Sequence, residues 1–204
     1  MKIAGGVPRS RKLLSPPESA ETRPIPARVK ESIFNILRGS VDDAVFVDIF
    51  AGTGAIGLEA ISRGAREAHF VERDRKVIDV LRRNAESLGE TVNTTVITGD
   101  ALHPALVTRL PAAIDLAFFD PPYPLTADKA TWARIIAQCA RVGERITPAG
   151  FLMLRTPWPL WIDRAERETA LIIPGLDGPE THDYRHTAVH IYAPQAREAE
   201  TQTP

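Results

Sequence analysis

From residue 45 onward the chain repeats one unit: an apolar run ending at or beside an acid, then a turn and a helical stretch. VFVDIF (45–50), EAHFVE (67–72), VNTTVI (92–97, leading to Gly99-Asp100) and IDLAFF (114–119, leading to Asp120) are the runs, and FLML (151–154) is a fifth. Between the second and third runs, Val77, Ile78, Leu81, Ala85 and Leu88 trace a helix closed by Gly89, and residues 131–142 read as another. A strand that is apolar on both faces has to be covered on both, and parallel strands need a crossover element to return. The alternation therefore predicts an α/β domain whose mostly parallel sheet carries helices on both faces. LII (171–173) and AVHIY (188–192) read as two final strands, paired as a hairpin.

The chain has 204 residues, enough for one large domain with a small appendage, and its 44% apolar and 25% charged residues exclude a disordered or collagen-like chain. Cys139, the single cysteine, allows no internal disulfide and no paired-cysteine zinc site. The five histidines (His69, His103, His182, His186, His190) show no ligand spacing, so no metal is expected. No apolar run reaches the roughly 18 residues of a bilayer span, and MKIAGGVPRS has no apolar signal core. The expectation is a cytoplasmic, monomeric protein that meets no membrane.

The formal net charge is −1, yet residues 1–38 hold eight basic side chains against three acids. Such a basic lobe on a neutral chain is what a polyanion-binding surface looks like, and also what a solvated charged segment looks like. KIAGG and RKLL read as two short strands about a Gly/Pro/Ser turn. Residues 27–38 form a helix with Val29, Ile33, Ile36 and Leu37 inward and Arg28, Lys30 and Glu31 outward. The division is a basic hairpin-and-helix extension (1–38), a main domain (39–193) and a polar, flexible tail (194–204).

Asp48 and the turn AGTGAIG follow the first strand, with Gly52, Gly54 and Gly57 in GxGxxG spacing. Glycine there permits the tight strand-to-helix turn and lets a ligand approach the backbone. Glu72, which ends the next strand, stands where a ribose-binding carboxylate belongs. These features point to a nucleoside-type cofactor. A dinucleotide uses the helix N-terminus for its pyrophosphate, whereas a sulfonium cofactor needs carboxylates, and Asp48 favours the latter. Asp100 is a third acid on the same edge, placed to meet an adenine amino group.

The sharpest feature is Asp120-Pro121-Pro122-Tyr123, directly after an apolar strand. Two prolines fix φ and supply no N–H, leaving a rigid, acceptor-only lip. Such a lip can bind both hydrogens of an NH2 group while Tyr123 offers a flat face to a planar base.

DPPY and AGTGAIG together resemble the amino-group methyltransferases of the class I fold. TRPIPARVKESIFNIL (22–37), VDIFAGTGAIGLEAISRGA (47–65) and FVERD (70–74) are similar to the RsmD type, the 16S rRNA guanine-N2 methyltransferases. The resemblance spans about residues 2–192 and implies a Rossmann-like, seven-stranded, mostly parallel sheet with helices on both faces and a small N-terminal extension. It implies an S-adenosylmethionine pocket at Asp48, Phe50, Gly52, Gly54, Glu72, Arg73, Asp100, Ala101 and Asp120. The target amine would sit on Asp120, Pro121, Pro122 and Tyr123. Ribosomal RNA, free or in an assembling small subunit, would lie along Arg9, Arg11, Lys12, Arg23, Arg28, Lys30 and Tyr123, with the 27–37 helix closing over the cofactor. Three places depart from the family pattern: Pro8-Arg9-Ser10-Arg11 replaces a glycine-basic-glycine turn, Arg155 stands where an acid is common, and His186 where glycine is usual. The implied reaction is methylation of a guanine N2 amine. The alternatives are another base (adenine N6, a different guanine) or a non-catalytic RNA-binding assembly factor, and a nicotinamide-dependent oxidoreductase would want a catalytic Tyr/Lys or Ser set in place of the proline-locked acid.

Overall fold

A computed structural model describes residues 2–7, 11–17, 25–89, 93–160 and 167–196. Strands β1 (Val45–Ile49), β2 (Glu67–Glu72), β3 (Thr94–Thr98), β4 (Ile114–Phe119), β5 (Ile146–Pro157), β6 (Leu176–Asp183) and β7 (Thr187–Pro194) form one sheet in the order β3-β2-β1-β4-β5-β7-β6. The pairings β2–β3, β1–β2, β1–β4 and β4–β5 are parallel, and β5–β7 and β6–β7 are antiparallel. This is the mostly parallel seven-stranded architecture expected.

Successive residues of the buried strands serve opposite layers, as strand periodicity requires. Phe46, Phe70, Leu116, Phe118 and Met153 pack in one core with residues of helices α1 (Ala27–Ile36), α2 (Gly57–Ser62) and α3 (Arg75–Glu86). Val47, Val71, Ala117, Phe119 and Leu154 pack in the other, with a 3-10 helix (Pro104–Arg109) and α5 (Lys129–Gly143). Two shorter helices, α4 (Tyr123–Ala127) and α6 (Arg167–Ala170), complete the fold. Among the described residues no helix is long and apolar enough to cross a membrane. Cys139 is buried in the α5 layer, which raises its thiol pKa well above normal. His190 is buried between the hydroxyls of Thr156 and Thr181, and desolvation pushes its pKa down to about 4.

The structure corrects four expectations. Residues 171–173 are not a strand: Leu171 and Ile173 are buried and Ile172 is exposed, but the segment is irregular. The partner of β7 is β6, whose sequence LDGPETHD shows no apolar run because it is an exposed edge strand with a register shift between Asp177 and Glu180. The N-terminal pair reduces to a single antiparallel bridge, Lys2 to Lys12, although Ile3 and Leu13 are buried in the core.

The third correction concerns Lys30, read above as facing outward. It is 4% exposed, and its Nζ donates to Glu59 Oε2 at 2.6 Å and to the Lys2 carbonyl at 2.8 Å. Glu59, on α2, is fully buried and also accepts from Ala4 N, Gly5 N and Arg63 Nε, each at 2.8 Å. Burial pushes its pKa up, but Lys30, the Ala4 amide and Arg63 together hold it below the usual range. One carboxylate thus fastens the N-terminal segment and α1 to α2. Ile36, expected inward, is 38% exposed, since the buried face of α1 runs through Val29, Lys30, Ile33 and Phe34.

Candidate active site

β1 hands the chain to β2 on one side, while β4, its neighbour on the other, hands it to β5. A crevice opens at such a reversal of strand order, outside the carboxyl ends of the strands. The Asp120 amide donates to the Ile49 carbonyl at 3.1 Å, so the turn after β1 and the lip after β4 are neighbours. Both line one cavity of about 590 Å3, within the range of about 300–1000 Å3 for small-molecule sites. Asp48, Phe50 and Gly52 form part of its wall, with Glu72 and Arg73 from the end of β2 and Ala101 after β3. The whole Asp120-Pro121-Pro122-Tyr123 lip lines it too.

The acids shape the turns that hold them. Asp48 Oδ2 accepts from Gly57 N at 3.0 Å, and Glu72 Oε2 accepts from Gly52 N at 3.0 Å. Glu72 Oε1 takes the amides of Arg73 and Asp74 at 2.8 and 2.9 Å. The glycines have distinct reasons. A Cβ on Gly57 would lie 2.4 Å from the Phe70 ring, so helix and strand approach too closely for any side chain. Gly52 has φ +55° and a Cβ there would meet nothing within 4 Å: the backbone is bare where it lines the cavity. Phe50, at φ 63°, holds a left-handed conformation uncommon outside glycine, and such strain gathers at functional sites.

Asp48 is 2% exposed, and burial, reinforced by the nearby charges of Asp120 and Glu72 and opposed by the Gly57 amide, pushes its pKa up to about 8. Against the ordinary 3.8, the folded chain then holds a proton on Asp48 that the unfolded chain has lost. Stability from this group therefore falls as pH rises from about 4 to about 8, by up to about 1.4 kcal/mol per pH unit. Denaturant midpoints across that range should show this slope in the parent chain, and Asp48→Asn should remove it. A ligand that sets a positive charge beside Asp48 reverses the balance, releasing a proton on binding and binding more tightly as pH rises toward 8. This suits a cationic cofactor: two carboxylates, a bare glycine turn and a rigid acceptor lip converge on one nucleoside-sized space.

Burial leaves the Asp120 carboxyl above its ordinary pKa, although the Arg155 guanidinium, whose Nη1 lies 2.6 Å from Oδ2, opposes the rise. Arg155 was noticed in the sequence only as a departure at the end of a strand, and nothing local marks it as part of the pocket it lines.

Two candidate cofactor residues stand apart from the cavity wall. Gly54 packs beside Leu58 and Leu81. Asp100 turns its Oδ1 to the Leu102 amide at 2.9 Å, and its Oδ2 lies 3.7 Å from Arg134. Of the basic candidates, Arg9 and Arg23 lie outside the described residues, Arg28 is exposed, and Lys30 is paired with Glu59. Arg11 and Lys12 share a second, open groove with Arg83, a residue that sequence reasoning passed over because it sits on the polar face of α3. Asn84 joins the two regions: it pairs with Leu14 N and O and donates to the Thr53 carbonyl inside the glycine turn. Pro16 and Ile25 reach the main cavity from the N-terminal side.

The family described as "Conserved hypothetical protein 95" matches residues 1–157. The chain belongs to this family, the RsmD type. Ribosomal RNA small subunit methyltransferase D of Escherichia coli K12 is 38% identical over 123 residues, covering 60% of each chain. The Haemophilus influenzae protein of the same name is 34% identical over 125 residues, 60% of this chain and 64% of its own length. The chain's match thus spans somewhat under two thirds of these curated relatives. The Escherichia coli yhhF structure superposes with a TM-score of 0.76 at 25% identity, covering 97% of this chain and 99% of its own. A hypothetical protein of Thermus thermophilus does so with a TM-score of 0.68 at 27% identity, covering 94% and 98%.

Proposed function

We propose that this protein methylates the exocyclic N2 amine of a guanine in small-subunit ribosomal RNA, using S-adenosylmethionine. One observation carries the reading: the proline-locked acceptor lip and the carboxylate-bearing glycine turn face a single cavity. The names of the relatives support ribosomal RNA as the substrate class.

Asp48, Gly52, Glu72 and Ala101 would hold the cofactor, which when bound supplies an electrophilic methyl group. The chain's own work is positioning and electrostatics. Asp120 and the Pro121 carbonyl accept the two N–H bonds of the amine and aim its lone pair into the cavity. The Asp120 carboxylate opposes the positive charge that grows on the nitrogen. Tyr123 supplies a face on which the base stacks, and a base reaches such a pocket only when unstacked, which favours a looped RNA. Arg11, Lys12, Arg28 and Arg83 are exposed and suited to phosphates. RNA binding should therefore weaken steeply as salt rises.

The test uses purified protein, methyl-labelled S-adenosylmethionine and small-subunit RNA or particles from cells lacking the gene. A single guanine labelled at N2 is expected. Label on adenine, or none on either substrate, overturns the reading, as does calorimetry in which NAD binds and S-adenosylhomocysteine does not.

A further inference from the structure

The prolines stiffen the backbone of the lip, but they leave the side chains of Asp120 and Tyr123 to be fixed by something else. Arg155 on β5 meets both. Its side chain is 3% exposed; Nη1 donates to Asp120 Oδ2 at 2.6 Å and Nη2 to the Tyr123 hydroxyl at 3.2 Å. Its guanidinium carbon lies 5.5 Å from the centre of the Tyr123 ring. The third contact anchors the fork to the sheet: Nε donates to Thr187 Oγ1 at 3.1 Å, and that hydroxyl donates to the Thr156 carbonyl at 2.8 Å. A planar guanidinium held at three corners leaves little freedom to the groups it touches.

We propose that Arg155 is the positioning residue of the lip, holding Asp120 as a charged acceptor through Oδ2 so that Oδ1 meets the incoming amine, and fixing Tyr123 as the stacking face. This rests on the amine-methylating reading above. The methylated nitrogen, cationic as the new bond forms, sheds its proton to water. The titratable and charged groups around Asp120 are Asp48 from β1, Tyr123 from α4 and Arg155 from β5, with Glu72 and Arg73 lining the same cavity from the end of β2.

The test is a carbon-13 carboxyl NMR titration of the free protein, with the Asp120 signal assigned through Asp120→Asn. Arg155→Met should raise the Asp120 midpoint by at least about one pH unit, a tenfold gain in proton affinity, and Arg155→Lys should restore most of it. The acid limb of the kcat profile should move in the same direction, while S-adenosylhomocysteine affinity by calorimetry stays within about twofold, since the contact acts through Asp120. An unmoved Asp120 midpoint in Arg155→Met overturns the proposal. Should that variant not fold, the parent chain and Arg155→Lys decide: an Asp120 still protonated in the parent above about pH 7 overturns it. A parent chain that titrates as expected but methylates no RNA sinks the reaction and leaves the pairing. An active parent whose Asp120 ignores Arg155 sinks only the pairing.

Discussion

Asp120→Ala should lower methyl transfer to small-subunit RNA by about a thousandfold, with S-adenosylhomocysteine binding close to the parent chain. The figure is the upper end for removal of one preorganised electrostatic contact to a reacting centre. It applies here because the carboxylate has two tasks, orienting an N–H and opposing charge on nitrogen, and both are lost together. Thermal stability should fall as well, because the substitution leaves the buried Arg155 guanidinium without its carboxylate, so rates are compared below the melting range. Asp120→Asn separates the tasks: the amide oxygen still accepts a hydrogen bond but carries no charge, so an intermediate rate is expected. Single-turnover rates with labelled cofactor check both variants. A rate within about tenfold of the parent for Asp120→Ala would falsify the mechanism.

Glu59→Ala should be the most destabilising single substitution in the α1–α2 region, costing about 3–5 kcal/mol. It strands the buried Lys30 ammonium and frees the amides of Ala4 and Gly5. For a domain of this size that loss corresponds to a fall in Tm on the order of 10 °C. Joint replacement, Lys30→Met with Glu59→Leu, should recover a large part of it, because an apolar pair avoids the desolvation of both charges. The sign with pH is opposite to that of Asp48. The Glu59 carboxyl is held below its usual value of 4.5, so its stabilisation is complete above that value and is lost as pH falls through the folded pKa. Thermal melts between about pH 3 and pH 7 on the parent and Glu59→Gln check this, and a parent no more acid-sensitive than the variant would refute the assignment.

These two substitutions fall on different sides of what a linear reading can reach. Asp120 was legible because its neighbours announce its chemistry: an apolar strand, two prolines and an aromatic residue leave few other uses for the acid between them. Glu59 was not, since a glutamate in GLEAIS reads as a solvent-facing residue until the N-terminal segment is laid across it. Lys30 was misplaced for the same reason, its burial being stabilised by a carboxylate 29 positions away. The edge strand β6 was missed because exposed strands lose the apolar signature that marks central ones. Asp100 stands between Gly99 and Ala101, which line the cavity, and which neighbours its side chain meets, Leu102 N and Arg134, shows only in space.

The order of apolar runs and acids determined by itself that a parallel sheet would form and that its carboxyl edge would carry a glycine turn and a stiff acceptor lip. Those features depend on backbone periodicity and on the conformational limits of glycine and proline, which act over a few residues. Only the tertiary structure decided which charges meet: Lys30 with Glu59, and Arg155 with Asp120 across 35 positions of chain. Ion pairing is set by distance and desolvation in space, and neither is encoded in the spacing of residues along the chain.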